Sequence, residues 1–171
     1  MKVKHFFLAA LMMLSVAACF GQPQNPWSTW SWLAGDWKGE GSGVPGQGGG
    51  SFSFKSELDG KVLVRKSHSE YPARDKKGMT LHDDLMIVYP GVKDEPFKAI
   101  YFDNEGHTIS YAVTPAGHSI VFLSKKTDGM PVFKLTYDSI AAETVNTKFE
   151  MSQDGEHFMT YIEGKSSKTS R

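Results

Sequence analysis

Trp32-Leu33-Ala34-Gly35-Asp36-Trp37-Lys38-Gly39-Glu40-Gly41 reads as a helical turn breaking into a strand at a tryptophan, the entry that a closed antiparallel barrel needs at its base. Just before it, Pro26, Trp27, Trp30 and Trp32 crowd aromatic surface into a segment too short for a long helix, which predicts a short helical plug. Trp37, Gly39 and Gly41 then fall on one face of the first strand, because side chains alternate along extended backbone.

Downstream of residue 36, period-2 alternation replaces helical spacing, and turn residues recur at the intervals of an all-β protein. Ten strands are predicted: Trp37 to Ser42, Ser51 to Leu58, Val62 to Glu70, His82 to Tyr89, Phe97 to Phe102, Thr108 to Thr114, Ser119 to Lys125, Val132 to Asp138, Thr144 to Ser152 and Phe158 to Gly164. Phe133, Leu135 and Tyr137 alternate with Val132, Lys134 and Thr136, so one face is oily and the other wet. Asp59-Gly60, Asn104-Glu105-Gly106, Pro115-Ala116-Gly117, Asp128-Gly129 and Asp154-Gly155 supply hairpin turns, so consecutive strands are expected to pair as an up-and-down meander. So many short strands leave exposed edges unless the sheet closes, which favours a ten-stranded antiparallel β-barrel over a two-sheet sandwich. The expected organisation is a signal peptide over residues 1–18, a tether over 19–30, the barrel over 31–165 and a polar, frayed tail over 166–171.

Lys2 and Lys4 precede an apolar run from Phe6 to Leu14 and the small residues Val16, Ala17 and Ala18, the layout of an export signal. Cys19 is the only cysteine, so no intramolecular disulfide can form, and its place after Val16-Ala17-Ala18 resembles a bacterial lipobox. A cut before Gln22 is the alternative, and would release a free protein. Either way the expected compartment is outside the cytoplasm, periplasmic or lipid-anchored, with the membrane touched only through a lipid on Cys19. Losing residues 1–18 removes two lysines and no acid, leaving a formal net charge of −2, which argues against nucleic acid as a partner.

A meander sorts side chains between two rims. With the plug at the bottom, His68, His82, His107 and His157 gather at or near the top and only His118 at the bottom. Pairing of the third and fourth strands is expected to set Glu70 near His82 and His68 near Asp84, with Asp103 and Asn104 arriving at the same rim. Imidazole and carboxylate at i, i+2 spacing point the same way, an arrangement suited to proton transfer with His82, Asp84 and Asp103 as candidates, or else to a plain polar rim. No metal site is expected. Arg65 either faces inward and anchors a carboxylate or lies outward in solvent. Phe52, Phe54, Tyr101, Tyr111, Phe122, Phe133, Tyr137, Phe149, Met86, Met151 and Met159 line a cavity or fill a core. The ligand expected of such a barrel is a small apolar or amphipathic molecule, met at the mouth by Arg65, His68, Glu70, His82, Asp84, Tyr101 and His107.

The string Gly35-Asp36-Trp37-Lys38-Gly39-Glu40-Gly41 resembles the calycin superfamily of lipocalins and fatty-acid-binding proteins, whose first strand carries G-x-W. Its longer form, G-x-W-x-G-x-G, resembles the nitrobindin branch, ten-stranded barrels that bind haem. Leu58 to Arg65, His82 to Met86 and Ala99 to His107 are similar to segments of a family of secreted bacterial lipocalin-like barrels, which implies a fold and leaves activity open. The last strand of nitrobindins carries H-x-H-x-T-Y, and here stands Glu156-His157-Phe158-Met159-Thr160-Tyr161. Aligned on Thr160-Tyr161, the iron-binding histidine of that family falls on Glu156, and His157 takes the intervening position on the opposite face. The resemblance therefore implies haem and chemistry on nitrogen oxides only if a bulge at Asp154-Gly155 turns His157 inward. From the residues alone no cofactor is expected.

Overall fold

A computed structural model describes residues 25–41, 50–72, 78–93 and 95–170. The strands are β1 (Gly35–Gly39), β2 (Ser51–Glu57), β3 (Val62–Pro72), β4 (Met79–Tyr89), β5 (Phe97–Asp103), β6 (Thr108–Ala116), β7 (Ser119–Ser124), β8 (Val132–Ala141), β9 (Thr144–Ser152) and β10 (Met159–Ser170). Each pairs antiparallel with the next, and β1 pairs with β10, so the meander closes into a barrel with no free edge. Closure, not a sandwich, is thus how the chain satisfies its outermost strands. The expected signal peptide, Cys19 and most of the Gly-rich stretch after β1 lie outside the described residues.

The helical plug expected before β1 amounts to a single 3-10 turn, Ser28–Trp30, with no α-helix among the described residues. Its tryptophans hold it in place. Trp30 is 1% exposed and meets Phe97 and Phe122 edge-on at 5.5 and 6.0 Å between ring centres. Trp27 donates its indole N–H to the Gly60 carbonyl at 2.7 Å, tying the turn to the β2–β3 hairpin. The packed domain therefore begins at Trp27, within the stretch expected to be tether. Trp37 is buried, donates its indole N–H to the Leu33 carbonyl at 2.8 Å and stacks on Phe52.

The polar tail is also corrected. Ser166, Ser167, Lys168 and Ser170 pair with Gly39, Lys38, Trp37 and Asp36. The barrel needs their backbone groups: without them β1 keeps an unpaired edge and β9 loses the partners of Thr144 and Val145. Lys168 covers the Trp37 ring at 5.0 Å and donates to the Trp32 carbonyl, so its stem packs where a hydrophobe would.

Register is enforced at one tight approach. Gly50 enters β2 at φ +97°, and a β-carbon there would sit 2.4 Å from the His68 carbonyl oxygen. Gly50→Ala is expected to cost about 1–3 kcal/mol, read as a lowered urea midpoint, because the backbone conformation and the clash both oppose it.

Candidate functional site

The pairing of β3 with β4 decides which polar groups face inward. Arg65 pairs with Met86, Ser67 with Asp84, Ser69 with His82, His68 with Asp83 and Glu70 with Leu81. The expected Glu70–His82 and His68–Asp84 pairs are therefore displaced by one residue, and the two couples part company. Burial sets the register of these 11-residue strands: Leu63, Met86 and Val88 go to the core and carry Arg65 and Asp84 with them.

On the outer face, His68 Nδ1 meets Asp83 at 2.6 Å and Nε2 meets Glu70 at 3.2 Å. Asp83 and Glu70 raise the pKa of His68, and all three side chains are exposed. A concavity of about 1090 Å³ runs along this wall: outward-facing Ser53, Lys66, His68, Asp83 and Leu85 line it together with inward-facing Trp37, Phe52 and Asp84.

On the inner face Arg65 is 8% exposed and its guanidinium is paired with Asp84, whose side chain is 5% exposed. Of the two orientations open to Arg65, the interior one holds. Burial opposes its charge, but the field of Asp84, with smaller contributions from Tyr137 and Tyr101, overcomes it and raises its pKa. Cζ lies 5.7 Å from the Phe52 ring centre and 6.0 Å from that of Tyr137. Arg65 Nε, the Tyr137 hydroxyl and the Thr147 hydroxyl are buried without a hydrogen bond of good geometry, and the Arg65 side chain lies close enough to the Tyr137 hydroxyl to interact with it as a donor. Tyr137 and Thr147 are directly opposed in the β8–β9 ladder. Burial, partly offset by Arg65, pushes the Tyr137 phenol up to about 12, so it stays protonated at neutral pH.

Above this floor a polar chain climbs to the rim. His82 Nε2 and the Tyr101 hydroxyl are 3.2 Å apart, Tyr101 donates to Asp103 Oδ2 at 3.2 Å, and His82 Nδ1 lies 3.3 Å from Glu105. Burial, reinforced by the nearby Asp84 and Asp103, raises the Tyr101 phenol well above its ordinary range and keeps it a donor. Asp103, its side chain 4% exposed, accepts the backbone N–H groups of Glu105 and His107 at 3.0 and 2.9 Å and the His107 ring at 2.8 Å. Burial alone would raise its pKa, but the donors from His107 and Tyr101 lower it on balance.

Such a carboxylate stabilises the folded state above its unfolded pKa, near about 4, and that contribution is lost as pH falls through the lower folded value. Urea unfolding from pH 7 to pH 2.5 is expected to show this part of the acid limb in the native chain and to lose it in Asp103→Asn.

The sequence-predicted residues thus divide. Arg65, His82, Asp84, Tyr101 and Asp103 converge on the interior, His107 caps the rim turn, and His68 and Glu70 lie on the outer wall. Strand alternation places Tyr137 inward, but no local pattern says that this residue of β8 meets Arg65 of β3.

Haem ligation through His157 does not fit. Its side chain is 85% exposed, in the turn before β10, and its Nδ1 is 2.6 Å from Asp154. Asp154 also accepts the backbone N–H groups of His157 and Glu156, which together hold its pKa well below the carboxylate range. The register shift in this region falls between Thr160 and Ile162 instead of at Asp154-Gly155, so nothing turns His157 inward. Among the described residues no cluster of histidine and acidic side chains has the grouping of a metal site. No protein-family model and no curated protein matches this chain.

Proposed function

We propose that this chain is an exported, calycin-like binding barrel that takes a small, largely apolar molecule through the rim formed by His82, Tyr101, Asp103 and His107. The observation that carries the reading is a division of the interior. Phe54, Met86, Val88, Val113, Ile120, Phe122 and Tyr137 pack one part solidly. Phe52, Tyr101, Ile109, Phe133 and Phe149 also belong to this core cluster yet remain only partly buried. Partly solvated aromatic rings on the inside of a closed sheet are where a ligand gains most from displacing water. Phe133 and Phe149 stack at 5.9 Å as one apolar wall, and the His82–Tyr101–Asp103 chain forms a polar one.

Asp84 and Asp103 are already engaged, the first by Arg65 and the second by backbone and side-chain donors. That commitment suits them to shaping the mouth more than to moving protons as free bases. Export follows from residues 1–18 and Cys19, with lipid on that cysteine as the proposed membrane contact. The uncharged fluorophore N-phenyl-1-naphthylamine tests the binding site. Saturable 1:1 enhancement that Ile109→Trp abolishes, with the far-UV circular dichroism unchanged, is the expected result. Absence of saturable binding, or binding indifferent to Ile109→Trp, overturns it.

A further inference from the structure

We infer that the outer face of β3, β4 and β5 is a contact between two copies of this chain, related by a two-fold axis that crosses β4 at Ile87. The upper half of β4 carries the inverse of the alternation a barrel in water needs: Met79 and Leu81 point outward, Thr80, His82 and Asp84 inward. Its lower half is apolar on both faces, with Leu85, Ile87 and Tyr89 outside and the fully buried Met86 and Val88 inside. The ladders widen this stripe, since Ile87 lies between Val64 and Ile100, and Leu85 beside Phe102. Met79, Leu81 and Phe102 are 56%, 48% and 41% exposed. On the far side of the barrel the outward positions are Lys134, Thr136, Asn146, Lys148 and Glu150, as solvent contact requires. Strands that are apolar on both faces are those covered on both, and among the described residues no helix or second sheet lies outside this wall. An exposed apolar patch of this breadth marks a contact surface.

A second copy fits it for three reasons. The barrel closes with no free edge, so a partner cannot add a strand and has to pack on a face. At about 3.3 Å per residue and 4.8 Å between strands, the 11-residue stripe with the strands flanking it spans roughly 35 by 24 Å, close to the ~800 Å² that each partner gives a stable complex. A two-fold axis also lets one patch cover itself, and antiparallel crossing at Ile87 lays Leu85 against the partner's Tyr89. Charge sets the direction. Asp83 and Glu70 stand with His68 at the upper end of the stripe, so parallel stripes would bring the carboxylates of both copies together, whereas antiparallel ones hold them at opposite ends. The same carboxylates oppose an anionic lipid surface as the cover. The mouth of the barrel stays clear, so this contact is independent of the binding reading.

Sedimentation velocity of the full chain carrying Cys19→Ser, which removes any lipid from the association, tests the contact over a range of concentrations. A reversible dimer is the expected result. Ile87→Lys at the centre and Phe102→Glu at the exposed margin are each expected to weaken it about a hundredfold or more, with far-UV circular dichroism unchanged, while Thr136→Lys on the far wall leaves it intact. In the same background, a short bismaleimide is expected to join Ile87→Cys chains, about 10 Å apart across packed sheets, and to spare Asp83→Cys chains, about 26 Å apart. A monomer at every concentration, or a dimer indifferent to both Ile87→Lys and Phe102→Glu, overturns the contact. A monomer that binds phosphatidylglycerol vesicles through the same two residues assigns the face to lipid and overturns it as well. Cross-linking at Asp83→Cys in place of Ile87→Cys overturns the antiparallel arrangement.

Discussion

Asp84→Ala is expected to destabilise the barrel by about 3–5 kcal/mol, enough to remove much of the stability of a domain this size. The loss of the carboxylate's own contacts is the smaller part. Its removal leaves the Arg65 guanidinium buried beside Phe52 and Tyr137 with its charge unmatched. Arg65→Met alone strands the opposite charge and is expected to cost a similar amount. The double replacement Arg65→Met with Asp84→Leu removes both desolvation penalties and is expected to recover most of the loss, since well-packed hydrophobes often match a buried ion pair. Urea midpoints of the native chain, Arg65→Met, Asp84→Leu and the double variant make a double-mutant cycle, and additive losses would show that the pair is not coupled.

Trp30→Ala is expected to cost about 3–5 kcal/mol, the range for removing a large, fully buried aromatic side chain. Trp30 fills the space between Phe97 of β5, Phe122 of β7 and Trp27 of its own turn. The cavity is not expected to collapse, because the closed hydrogen-bonded wall holds its lining apart. Trp30→Phe keeps an aromatic ring and deletes the indole N–H, which has no partner where it stands. Its cost is expected to stay below about 1.5 kcal/mol, as for volume-adjusted swaps. Calorimetric midpoints of the two variants check the contrast, and a Trp30→Ala protein as stable as Trp30→Phe would mean that the 3-10 turn contributes little to the core.

Much of the architecture was legible because alternation and hairpin turns are local. The ten strands, their meander order and the inward faces of β8 and β9 follow from neighbours a few residues apart. Strand ends were less legible. The closing half of β10 reads as a polar tail because its inward positions are Gly164, Ser166 and Lys168, and only the pairing of its backbone with β1 makes it a strand. Met159 shows the converse: an apolar residue at a strand start, expected inside, is 72% exposed because the rim ends there.

For the site, the residue types were readable and their grouping was not. Arg65, His82, Asp84, Tyr101 and Asp103 stand out by chemistry, but a slip of one residue between β3 and β4 turns one strand over, either exchanging His82 and Asp84 for Asp83 or bringing His68 and Glu70 inside. That choice is made by the burial of Leu63, Met86 and Val88 across the pair. Trp32 to Gly41 thus specified an entry into an antiparallel barrel from local geometry alone, since a turn, a tryptophan and spaced glycines act within a few residues. Whether Arg65 lies in water or in the core, whether His157 faces the interior, and which donors meet beneath the mouth were decided by packing between strands distant in the chain, where burial free energy sets the register that no local pattern carries.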